Sequence, residues 1–147
     1  MPLTTFGAIM GFAAEMAGKT GEIYYILAQK AKNSGLKEVL QGFSAEEGKN
    51  HALMGKARRE NVTEMILEPI SGLHRKDYEI DLKLSDQMED ADLLKRALIL
   101  EERGKKFFRD ASSKIPLPEV ARIFRKIAQK KEENLARLKS LLPSQKA

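Results

Sequence analysis

Apolar residues return every three to four positions along four stretches of the chain, and they scarcely alternate with period two anywhere. That spacing predicts four amphipathic helices. The first runs from about Thr5 to Lys32 and stops at Asn33-Ser34-Gly35, a helix-ending signal. The second spans about Leu36 to Arg59, with Leu36, Leu40, Phe43 and Met54 on one stripe. Residues 60–86 are less regular, and Pro69 and Gly72 within MILEPISGL predict a crossover with at most one helical turn. The third helix covers about Asp90 to Ser113. Pro116 and Pro118 then punctuate the chain, and Pro118 suits the first position of a helix because its missing N–H would have no partner there. The fourth helix continues to about Leu142 and ends at Pro143. The expected fold is all-α: one domain over residues 1–147, a four-helix bundle made of two helical hairpins joined by a long crossover.

Composition narrows the chemistry. A chain of 147 residues suits a single core. It has no cysteine, which excludes disulfides, thiolate-held metals and a cysteine nucleophile. The apolar start MPLTTFGAIMGFAAEMAGK lacks a basic leader and is interrupted by Glu15 and Lys19. It reads as neither a signal peptide nor a membrane span, so the expected location is the cytoplasm. The net charge is +5, with bases and acids interleaved. Lys105, Lys106, Arg109, Arg122, Arg125, Lys126 and Lys130 would form a patch if the third and fourth helices presented them together. Ion pairing with neighbouring acids and contact with water is the favoured reading, and nucleic acid is not an expected partner.

The two hairpins resemble each other. Ala14, Gly21, Tyr24, Tyr25 and Ala28 meet Ala97, Gly104, Phe107, Phe108 and Ala111 at a shift of 83. On the second helix of each half, Leu36, Leu40, Phe43, Glu47, Asn50 and Met54 meet Val120, Phe124, Ile127, Lys131, Asn134 and Leu138 at a shift of 84. Paired aromatics and matching glycines favour a duplication over chance alignment of two amphipathic segments.

With these motifs in place, the chain resembles the rubrerythrin-like branch of the ferritin-like superfamily over nearly its whole length. Each half of that pattern has a helix with Glu, then Gly or Ala three residues on, then an aromatic pair; the next helix carries Glu-x-x-His. The resemblance implies two iron or manganese ions held by six inward ligands and an oxidoreductase or peroxidase-like activity. The six ligand positions fall at Gly18, Glu47, Asn50, Glu101, Lys131 and Asn134. Only Glu47 and Glu101 keep a metal-binding type. His51 comes one residue too late and is turned about 100° from the seam.

A cation where a metal ligand belongs opposes binding a divalent ion, and Glu47 and Glu101 alone would make only a weak site. Two arrangements are open. The Lys131 ammonium can replace the metals and bridge Glu47 and Glu101, with the Asn50 and Asn134 amides completing the hydrogen bonds. Alternatively, these side chains reach a bundle end or meet water in a small cavity. On the first helix Gly7, Gly11, Ala14, Gly18 and Gly21 form a small-residue stripe, which permits close helix approach or leaves room for Lys131 opposite Gly18. His51 is expected to be solvated, His74 has no readable partner, and Tyr24, Tyr25, Phe107 and Phe108 read as core. No catalytic or cofactor-binding residue is assigned. The expected function is a non-catalytic binding or scaffold protein, dimeric by resemblance, with an unidentified protein partner. The alternative is a di-iron or di-manganese oxidoreductase with an altered ligand set.

Overall fold

The structure is a computed structural model that describes residues 3–60, 70–79, 84–85 and 87–146, with side chains to residue 141. Four long helices account for most of the described chain: α1 Phe6–Lys30, α2 Ser34–Glu60, α3 Asp90–Ser112 and α4 Pro118–Lys146. There is no β-strand among the described residues. None of the helices there is long and apolar enough to cross a membrane.

The helix ends follow from local chemistry. Thr5 caps α1, its hydroxyl accepting from the Ala8 N–H at 3.0 Å. At the other end Ala31 turns extended, so α1 stops before the Asn33-Ser34-Gly35 signal. Ser34 and Gly35 already belong to α2. Asn33 acts forward: its side-chain oxygen accepts from Leu36 N–H at 2.9 Å, capping the next helix. The turn is also clamped from across the bundle, because Asp90 accepts from the N–H groups of Lys32 and Asn33 at 2.9 Å each. Glu89 and Asp92 form a capping box at the start of α3, and Pro118 opens α4. The fourth helix continues through Pro143 to Lys146 instead of ending there. Proline's fixed φ is compatible with helix, and its missing N–H removes one backbone bond.

The first helix packs along α2, α3 packs along α4, and α1 also meets α3. Two apolar clusters stack along the bundle. One gathers Phe6, Met10 and Phe12 from α1, Met54 from α2, Phe107 and Phe108 from α3, and Phe124 from α4. The other gathers Tyr24 and Leu27, Leu36, Leu40 and Phe43, Leu94 and Leu100, and Leu138. Therefore α1 and α4 run from the first cluster to the second, while α2 and α3 run back. Phe107 is the hub of the first cluster, edge-on to Phe12, Tyr78 and Phe108 at ring separations of 5.1–5.2 Å.

Of the connection between α2 and α3, residues 61–69, including Pro69, 80–83 and 86 lie outside the described residues. The described portion holds a 3-10 turn, Arg75–Asp77. Leu3 N–H donates to Leu73 O and Ile70 N–H to Thr4 O, at 3.1 and 2.7 Å. Arg75 grips both oxygens of Glu15 at 2.9 and 3.1 Å and lies over the Phe12 ring. The Tyr78 hydroxyl donates to Asp110 at 2.8 Å.

Candidate functional site

A polar layer separates the two apolar clusters; α2, α3 and α4 supply its hydrogen-bonded side chains, and α1 meets it at Gly21. The residues between the clusters are Gly18 to Gly21 on α1, Glu47 and Asn50 on α2, Glu101 and Gly104 on α3, and Lys131 and Asn134 on α4. Helical spacing of three residues puts Glu47 with Asn50, Glu101 with Gly104, and Lys131 with Asn134 on common inward faces. The structure brings Glu47, Glu101 and Lys131 together at the centre. Lys131 Nζ donates to Glu47 Oε1 at 2.6 Å and to Glu101 Oε2 at 3.2 Å. The exposures of Lys131, Glu47 and Glu101 are 2, 3 and 1 %, so water does not screen these contacts.

The two asparagines complete the network. Asn50 Nδ2 donates to Glu47 Oε1 at 3.1 Å, and Asn134 Nδ2 donates to Glu101 Oε1 at 2.7 Å and to Glu46 Oε1 at 2.9 Å. Glu46, unremarked in the sequence, thus ties the layer to the α2–α4 surface. No buried side-chain polar atom among the described residues lacks a partner. That is the condition under which a buried charge network is tolerable.

Burial alone would favour neutral Lys131. The opposing charges of Glu101 and Glu47, and the bonds to them, outweigh it and hold its pKa above the usual lysine value. For Glu47 burial is the larger influence and pushes its carboxyl up, against the pull of Lys131. One ammonium faces two carboxylates, and the second carboxylate adds to that upward push. Tyr24 lies nearby, its hydroxyl donating to Ala97 O at 3.3 Å. Burial and then the Glu101 and Glu47 charges raise its pKa well above normal, so it stays neutral.

Gly104 makes the arrangement sterically feasible. A Cβ there would lie 2.7 Å from Lys131 Cε and 2.8 Å from Cδ, so the lysine stem runs over bare backbone. Gly21, its counterpart in the internal repeat, sits under Glu47 in the same way, with a virtual Cβ 3.3 Å from Glu47 Cβ. The room for Lys131 therefore lies at Gly104 and not at Gly18. Gly18 faces the His51 ring, whose Nδ1 would be 3.4 Å from a Cβ there. His51 is exposed, yet it is docked and not merely solvated: its Nδ1 lies 2.8 Å from Ala14 O. His74 is exposed. Tyr24, Phe107 and Phe108 are core, but Tyr25 is 60 % exposed, because its place on α1 faces out of the bundle.

This centre does not fit a di-metal ion pair. An ammonium nitrogen occupies the point where the two carboxylates converge, and the asparagines present N–H donors there, not lone pairs. No group of three His, Asp or Glu able to hold a metal ion occurs among the described residues.

The basic residues are ion-paired only in part. Lys105 pairs with Glu102 at 3.3 Å, and Lys106 lies over the Tyr78 ring. Arg109, Arg122, Arg125, Lys126 and Lys130 form no salt bridge among the described residues. On α4 the residues one turn from Lys126 are Arg122 and Lys130, so its own helix offers it no acid at that spacing.

One solved structure, a hypothetical protein from Pyrococcus furiosus, superimposes with a TM-score of 0.68, covering 92 % of this chain and 86 % of that one at 22 % sequence identity. At that identity the likeness establishes the shared fold alone. No protein-family model and no curated protein matches the chain.

Proposed function

We propose that the chain is a ferritin-like bundle of the rubrerythrin type, two duplicated helical hairpins joined by a crossover, whose di-metal centre has become a lysine–carboxylate cluster. It acts in the cytoplasm as a non-catalytic binding or scaffold protein, assembled as a homodimer. The pairing of α1 with α2 and of α3 with α4 supports the duplicated arrangement. So does the equivalence of Gly21 with Gly104 and of Glu47 with Lys131, each glycine making room for the inward side chain of the adjoining helix.

The observation that carries the functional reading is the Lys131 ammonium within hydrogen-bond reach of both Glu47 and Glu101. Redox cycling of a metal needs several anionic ligands and open coordination positions. Here the two carboxylates already have their cation. The test is metal analysis of the purified protein, with titration calorimetry of added Fe(II) and Mn(II) and a peroxide-turnover assay. The reading expects no stoichiometric metal and no turnover above free iron. Tight binding of two ions per chain with turnover would restore the oxidoreductase alternative.

A further inference from the structure

Beside the buried cluster lies an open groove of about 250 Å³ between α2 and α4. Its two ends differ in chemistry. Glu46 meets Asn134 and Glu47 meets Lys131, and the helices run antiparallel, so one end of the groove carries Glu46, Asn50 and Lys130. Ile127 follows one helical turn along α4, and Leu53 and Ile123 lie two turns away, about 10 Å at 1.5 Å per residue. Lys126 is exposed and lies between Ile123 and Ile127 along α4, beside the apolar lining and one turn from Lys130. Leu53 is among the few large apolar side chains the described surface exposes, at 36 %.

Charge identifies the occupant. Lys126 and Lys130 are exposed and have no ion-pair partner among the described residues, and they lie one turn apart on one helix face. Two such cations beside a short apolar trough suit a ligand with one anionic head and an aliphatic tail. The Glu46 carboxylate, engaged by Asn134, keeps the anionic head off the floor and at the lysine rim. A nucleic-acid backbone would use the cations but not the trough. The volume is below that of a drug-sized pocket and suits a single short chain.

We propose that this groove binds a medium-chain carboxylate, its head between Lys126 and Lys130 and its chain along Leu53, Ile123 and Ile127. The test is a ¹H–¹⁵N correlation titration of the full chain with sodium octanoate, with 1-octanol, sodium acetate and inorganic phosphate as comparison probes. The expected result is saturable shifts centred on Asn50, Leu53, Ile123 and Lys126. Octanol and acetate should each bind at least tenfold more weakly than octanoate, and phosphate should not displace it. The double charge reversal Lys126→Glu/Lys130→Glu lies on an exposed face, and circular dichroism verifies its fold; it should weaken octanoate binding at least tenfold. Absence of saturable shifts, shifts confined elsewhere, or unchanged affinity in the double variant would each overturn the proposal. Equal binding of octanol would remove the role of the lysines. Displacement by phosphate or a single-stranded oligonucleotide would make the site a plain anion patch and equally overturn it.

Discussion

Replacing Lys131 by Met removes the positive charge and leaves a similar volume. Two carboxylates, 3 and 1 % exposed, then face each other without a cation. Breaking a buried ion pair by removing one partner costs about 3–5 kcal/mol, because the remaining charge is uncompensated. With a urea m-value of about 2 kcal/mol/M, a 4 kcal/mol loss lowers the midpoint by about 2 M. The loss should shrink as pH falls, because like charges at this separation drive one carboxyl to take up a proton. Urea unfolding followed by far-UV circular dichroism at pH 5, 6, 7 and 8 measures both effects. A companion variant, Lys131→Met with Glu47→Gln and Glu101→Gln, removes every charge and should recover most of the stability at pH 7. A Lys131→Met midpoint within about 0.3 M of the parent (under ~1 kcal/mol), flat across this pH range, would refute the claim that Lys131 neutralises the pair.

Gly104→Ala should cost about 1–3 kcal/mol through overpacking on the Lys131 stem. In a Lys131→Ala background the same change should be neutral or stabilising by up to about 1 kcal/mol. A double-mutant cycle with coupling below about 0.5 kcal/mol would contradict the contact. Gly42, with nothing within 4 Å of a virtual Cβ, should stabilise the chain by about 0.5–1 kcal/mol when changed to Ala, read as a raised thermal midpoint. Lys131 keeps its proton more tightly folded than unfolded, so its stabilisation is complete below the free lysine pKa of about 10.4 and is lost as pH rises through the higher folded value. The parent should therefore lose stability above about pH 10.4 more steeply than Lys131→Met, as urea midpoints at alkaline pH would report.

The helices and the inward positions were legible because bundle packing imposes one periodicity, and Glu47, Glu101 and Lys131 all fall on its buried seam. Details that depend on one side chain's choice between neighbours were not. Asn33 could cap either helix, and its forward bond to Leu36 decided that Ser34 and Gly35 begin α2. The sequence offered room for Lys131 opposite Gly18; His51, docked on Ala14, faces that glycine instead, and the lysine stem runs over Gly104. The internal repeat carried a usable signal, since it aligns Gly21 with Gly104 just as it aligns Glu47 with Lys131. Tyr25 aligns with buried Phe108 but faces solvent, so the alignment does not carry burial at that position. Glu46 was invisible because nothing in its own helix spacing announces that Asn134 would reach it across 88 residues.

The most direct test of the central claim is a crystal structure of protein grown with excess Fe(II) and Mn(II), with anomalous data collected at both absorption edges. The account expects no anomalous peak between Glu47 and Glu101, and the Lys131 ammonium within hydrogen-bond distance of both. A pair of ordered metal ions there, with Lys131 displaced toward solvent, would contradict it.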